Sequence, residues 1–150
     1  MNDAAMIVAG AVACLGLSGA GSALGTGMAA NAAVGAWKKC YAADKPAPFL
    51  LLSFVGAPIT QTLYGMILMF TMFGKLSVEG AGIPCLVLGI FSGFAIGASA
   101  FFQGRAAAAA CDAQAETNQG FTNYLAALGI VETVAIFTMV FSLIAVGKIA

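Results

Sequence analysis

Apolar residues run along this chain in four long blocks separated by three short polar breaks. The first block, Ala4–Trp37, is apolar or small throughout and stops at Lys38 and Lys39. At a helical rise of about 1.5 Å per residue it is long enough to cross a hydrocarbon core about 30 Å thick and to project beyond it. Tyr41–Pro48, polar and with two prolines, reads as a connection. Phe49–Phe73 is the second block, bulky where the first was small, and Gly74–Gly82 with Lys75 and Glu79 is the turn after it. Ile83–Gln103 is the third block; Arg105–Gln119 continues it as an Ala-rich polar run that predicts a helix projecting from the membrane before a turn at Asn118–Gly120. Tyr124–Val146 is the fourth. The pattern predicts an all-α membrane protein of four transmembrane helices.

Two of the four predicted helices are rich in glycine. Seven glycines fall in the first block, among them Gly21 and Gly25 at the small-xxx-small spacing, and the third block carries Gly89, Gly93 and Gly97 in an unbroken GxxxGxxxG. Such residues weaken a helix in water, but in lipid they let two backbones approach closely. Helices 1 and 3 are therefore expected to pack against other helices, and the bulky helices 2 and 4 to suit lipid.

Composition agrees with a membrane protein. The chain of 150 residues is 61% hydrophobic and 8% charged with a mean hydropathy of +0.99, against about 25% charged residues in a soluble domain. Six basic and six acidic residues cancel, so no basic field for nucleic acid exists. Histidine is absent, and Cys14, Cys40, Cys85 and Cys111 show no CxxC spacing, which leaves no zinc signature and no disulfide framework. Met1-Asn2-Asp3 lacks the basic region of a cleaved signal peptide, so the first helix is expected to be retained. Lys38, Lys39, Lys45 and Arg105 fall after helices 1 and 3, while only Lys75 and Lys148 fall on the opposite side. The excess of positive charge predicts that the loops after helices 1 and 3 are cytoplasmic and the termini outside.

The sequence also repeats. A shift of 71 residues superimposes Cys14-Leu15 on Cys85-Leu86, Cys40 on Cys111, Ile59 on Ile130, Thr62 on Thr133 and Phe70 on Phe141. This is the mark of a duplicated helical hairpin, 1–79 and 80–150, within one structural domain. The same shift places Gln61 on Glu132.

Glu132 stands alone among more than twenty otherwise uncharged residues of the fourth helix. A carboxylate in that setting costs several kcal/mol unless it is protonated or paired with a cation, which makes it a candidate ion site. Ala57, Thr60, Gln61 and Tyr64, spaced i, i+3, i+4 and i+7, share one face of helix 2. Pro58 breaks the backbone bonding there and is expected to turn carbonyls such as that of Ala57 outward. Gln103 is the one side-chain amide within the third block. With Glu132 these form an all-oxygen set, suited to a hard cation, with Tyr64 cast as a donor to the carboxylate. Protonation needs only the carboxyl group, whereas an alkali ion needs several oxygens; the surplus favours Na⁺ over H⁺, with H⁺ as the alternative. Membrane Gln and Thr residues also serve simply as bonds between helices.

Thr60-Gln61-Thr62-Leu63-Tyr64-Gly65 after Pro58, Gln103-Gly104-Arg105 followed by alanines, and Glu132 within LGIVETVAIF together resemble the proteolipid (K or c) subunit of bacterial V-type, or V/A-type, ATPases. The resemblance covers essentially the whole chain. It implies a ring of identical subunits in the bacterial plasma membrane, with helices 1 and 3 inside and helices 2 and 4 outside. It further implies a stator membrane subunit bearing a basic residue, a central-stalk subunit on the cytoplasmic side, and no catalytic site in this chain of an ATP-hydrolysing complex. Matched position by position, the sodium-binding members of the family imply ligands at Thr60, Gln61, Gln103 and Glu132, a locking hydrogen bond from Tyr64, and a backbone carbonyl at Ala57, where the family often has a larger aliphatic residue. Gln61 in place of a second acid leaves one carboxylate per four helices.

Two other readings are open to the residues. A small proton-coupled secondary transporter would use Glu132 as its proton and substrate acid and would be expected to line a cavity near it with aromatic residues, whereas Trp37, the single Trp, lies at a helix end. A structural tetraspan would have no need of Glu132. Depth sets a further condition: counted from Ile83, Gln103 lies about 30 Å along helix 3, while Glu132 lies about 12 Å into helix 4 from Tyr124. Their meeting requires helix 3 to enter the bilayer later, or the site to sit towards the cytoplasmic side.

Overall fold

The computed structural model describes residues 2–149 and contains five helices: α1 Asp3–Ala42, α2 Leu51–Gly56, α3 Thr60–Phe73, α4 Gly82–Thr117 and α5 Phe121–Gly147, with one 3₁₀ turn, Ala57–Ile59, joining α2 to α3. Taking α2, the turn and α3 as one span, four helices are long and apolar enough to cross a membrane.

Asn2 caps α1 by accepting the Ala5 N–H at 2.9 Å. The helix runs past the lysines that were expected to end it. Lys and Ala are good helix formers, and the chain leaves the helix only where Asp44 takes a left-handed conformation (φ 52°) ahead of Pro46 and Pro48. Lys39 meets Asp112 of α4 at 2.9 Å, with both side chains exposed, a pairing worth little in water. Pro58 interrupts the second span. It lacks an N–H and crowds the preceding turn, and the break expected there takes the form of a three-residue 3₁₀ turn. The polar run after Arg105 is helical, as its composition predicts, and α4 stops at left-handed Asn118 (φ 52°) followed by Gly120 (φ 86°). The fourth span then starts at Phe121, three residues before the expected Tyr124.

α1 and α4 run parallel and pack backbone to backbone. A methyl added at Gly21 would overlap the backbone of Gly97, one at Gly89 the backbone of Gly10, and one at Gly25 the carbonyl of Ala100; at Gly93 it would lie 2.7 Å from the Cα of Cys14. Gly21 and Gly97 thus meet directly, and the other glycines of the two motifs meet the backbone of the facing helix at Ala100, Gly10 and Cys14. The contact extends past the motifs to Gly104, which touches Gly25. On α3, Gly65 makes room for the Ser18 hydroxyl of α1.

α5 lies at the margin and runs antiparallel to α4. It buries Leu128, Ala135 and Val146, while Ile130, Phe137 and Phe141 are more than 60% exposed. Such a face suits lipid or a neighbouring subunit. Two apolar clusters fill the interior. One gathers Ile7, Leu68, Met72, Ile96 and Ala135; the other gathers Leu51, Phe54, Ala107, Cys111 and Leu128. Between them lies a polar layer at the level of Gln61, Gln103 and Glu132.

Candidate ion-binding site

Four elements meet in that layer. The Pro58 turn delivers Ala57, the first turns of α3 deliver Thr60, Gln61 and Tyr64, α4 delivers Gln103, and α5 delivers Glu132. Gln61 and Gln103 are fully buried, whereas Glu132 is half-buried at the edge of the helix group. Every side chain that the sequence assigned to the site is brought to it.

The carboxylate is surrounded by donors. Tyr64 donates its hydroxyl to Glu132 Oε1 at 2.6 Å. The Thr60 hydroxyl lies 2.6 Å from the same oxygen, and Gln103 Nε2 donates to Glu132 Oε2 at 3.1 Å. Gln103 therefore faces the acid through its nitrogen. The same nitrogen donates to the Leu128 carbonyl at 3.0 Å, and its Oε1 accepts from Gln61 Nε2 at 2.7 Å. That leaves Gln61 Oε1 turned towards Thr60.

Thr60 is the centre of an oxygen cluster. Its Oγ1 lies 3.1 Å from the Ala57 carbonyl and 3.1 Å from Gln61 Oε1, besides its contact with Glu132. The tight turn at Pro58 aims the Ala57 carbonyl at Thr60, whose N–H it also accepts. A hydroxyl carries one proton, so three acceptor oxygens compete for a single hydrogen there. The layer is rich in oxygen and short of protons.

No positive side chain balances the acid: among the described residues the one ion pair is Lys39–Asp112, nine residues beyond Gln103 along α4. An ionised Glu132 in the membrane thus has hydrogen bonds but no countercharge, and hydrogen bonds alone do not remove the cost of a charge in hydrocarbon. Two chemical solutions exist. A small cation can sit among the oxygens, or a proton on Oε1 can donate to Thr60, which passes its own hydrogen to Ala57 or Gln61.

Two contacts went unread in the sequence. Ser99 donates to the Val131 carbonyl at 2.9 Å, and Gln103 reaches the backbone of Leu128 as well as the acid. The available signal was spacing: Ser99 is one helical turn before Gln103 and so shares its face.

The depth condition resolves when counted from the other end. Glu132 is eleven residues from the start of α5 and Gln103 fourteen from the end of α4, about 17 and 21 Å from the connecting turn. Because α4 projects to Thr117, the antiparallel pair meets nearer its Asn118 end.

The ATP synthase C-subunit family matches residues 80–145, the part of the chain that holds Ser99, Gln103 and Glu132. Over 142 residues the chain is 32% identical to the V-type sodium ATPase subunit K of Enterococcus hirae, a similarity spanning 86% of this chain and 82% of that protein.

Proposed function

The chain belongs to this family of proteolipids, the ion-carrying rotor-ring subunits of rotary ATPases, and from that premise we propose that it carries Na⁺ across the membrane by binding it at Glu132 as the ring turns. The observation that carries this reading is the oxygen cluster of Ala57, Thr60, Gln61 and Glu132, with its shortage of protons and its lack of a cationic side chain. Na⁺ supplies the missing charge and takes oxygen ligands by preference. In this reading Gln103 completes the site, steadying Glu132 Oε2 through its amide nitrogen, and Tyr64 locks the acid over the ion. The Enterococcus hirae relative is a sodium ATPase subunit, which supports the same ion.

The coupling is electrostatic. Glu132 loaded with Na⁺ is neutral and can face lipid; the emptied carboxylate cannot, at a cost of several kcal/mol. An empty site must therefore stay in an aqueous path beside a basic residue, which we place on a stator membrane subunit. The rings are made of identical copies of this chain. We place the loops after α1 and α4, with their excess of positive charge, on the cytoplasmic side of a bacterial plasma membrane, where a central-stalk subunit docks. With Gln61 at the position equivalent to Glu132, each copy carries one ion, which lets the same ATP drive each ion up a steeper gradient.

Carbodiimide labelling of Glu132 at constant pH tests the ion. Millimolar Na⁺ is expected to protect the acid, and the Na⁺ needed is expected to rise as pH falls, because protons compete for the same carboxylate. Labelling that responds to pH alone would make this a proton carrier. Tyr64→Phe removes one of the donors to Oε1. Since a hydrogen bond to a charged group contributes about 1.5 kcal/mol or more, the variant is expected to need roughly tenfold more Na⁺ for half-protection, with ring assembly unchanged. An unaltered requirement would remove Tyr64 from the site.

A further inference from the structure

We infer that Ser99 is a positioning residue of the ion site: it fixes the depth of α5 against α4, so that Glu132 meets Thr60, Tyr64 and Gln103. The inference rests on the reading of Glu132 as a Na⁺ carrier. Ser99 is 5% exposed, and its hydroxyl crosses to the Val131 carbonyl at 2.9 Å. One turn on, Gln103 Nε2 crosses to the Leu128 carbonyl at 3.0 Å. These two carbonyls bracket the amide of Glu132. The Val131 carbonyl belongs to the same peptide unit as the Glu132 N–H, and the Leu128 carbonyl is that N–H's helical acceptor four residues back. Two donors of α4 therefore grip the stretch of backbone from which the carboxylate hangs.

Apolar packing does little to set this depth. α5 buries only Leu128, Ala135 and Val146, and lipid tails solvate the rest of its surface as well as a neighbouring helix would. The other hydroxyls of the apolar spans mostly bond within their own helix: Ser18 to Cys14, Thr71 to Ile67, Ser92 to Leu88 and Thr138 to Val134. Ser99 instead spends its one hydrogen on α5. Sliding α5 by a single residue would break both crossing bonds and strand two buried donors, which is unfavourable in hydrocarbon.

The test is Na⁺ protection of Glu132 against carbodiimide in assembled rings of the wild type, Ser99→Ala and Ser92→Ala. Ser92 is an equally buried serine of α4 whose hydroxyl donates to Leu88 of its own helix and lies 3.4 Å from Cys14 Sγ of α1, away from α5, so Ser92→Ala reports general loosening of the helix group. Ser99→Ala is expected to raise the half-protecting Na⁺ concentration about fivefold, the equivalent of one ordinary hydrogen bond, while Ser92→Ala leaves it unchanged. Ser99→Cys, which keeps a γ atom at the site but with a weak donor, is expected to shift in the same direction, so the measurement survives if the Ala variant does not assemble. An unshifted requirement in both Ser99 variants, or an equal shift in Ser92→Ala, would overturn the positioning role alone. Absence of Na⁺ protection in the wild type would overturn the Na⁺ site and this inference together.

Discussion

Glu132→Gln is expected to yield an assembled ring that moves no ions. The substitution keeps the size of the side chain and its place on α5 but removes the charge, and with it the reason for a cation to leave water for this layer. The amide also puts an N–H₂ among groups that already donate: Tyr64 and Gln103 both direct hydrogens at the acid, so one donor is left facing another. ATP-driven ²²Na⁺ uptake into membrane vesicles holding the complex should fall to background, a loss of about two orders of magnitude or more if the carboxylate supplies even 3 kcal/mol of the binding. Carbodiimide incorporation should vanish with it, while the ring runs at its usual size in detergent. Uptake at a tenth of the wild-type rate or above would return the chain to the structural readings, in which this acid is dispensable.

Gly21→Leu is expected to prevent the ring from forming at all. Inserting methylenes into an ordinary core costs about 1–3 kcal/mol because neighbouring side chains can shift. At Gly21 the neighbour is the backbone of Gly97, which cannot rotate aside, so α1 and α4 must separate. That separation would spread along the contact to Gly10–Gly89 and Gly25–Gly104, and it would carry Gln103 away from Gln61. Gly21→Ala places one carbon in the same overlap and should give rings that fall apart at lower temperature. Size-exclusion chromatography in detergent, beside far-UV circular dichroism, separates the outcomes: helical content should stay near that of the wild type while the ring peak disappears for Leu. A Leu variant that elutes as an intact ring would show that the α1–α4 contact is looser than its geometry.

Both predictions concern features readable from composition and spacing, and both depend on what those features meet. Gln103 shows the difference most clearly. Its residue type marked it for the site, yet counting from the start of the third block set it far from Glu132 along the membrane normal. The contact exists because α4 overshoots the bilayer and α5 begins again at once after Asn118 and Gly120. Which end of Gln103 faces the acid was likewise illegible, since an amide has two nearly identical ends and the choice falls to Gln61 on one side and the Leu128 carbonyl on the other.

By itself the sequence determined the four spans, the two glycine faces, the solitary acid and the residue types that surround it. These are consequences of hydropathy and helical period, which act over a few turns and need no partner. Tertiary structure alone decided the depth at which α5 stands against α4, the meeting of Glu132 with Thr60, Tyr64 and Gln103, and the reach of Ser99 across to α5. Those depend on contacts between residues far apart in the chain. In lipid, where apolar surfaces slide without penalty, it is a few buried donors and close-packed glycines that choose among the possible alignments.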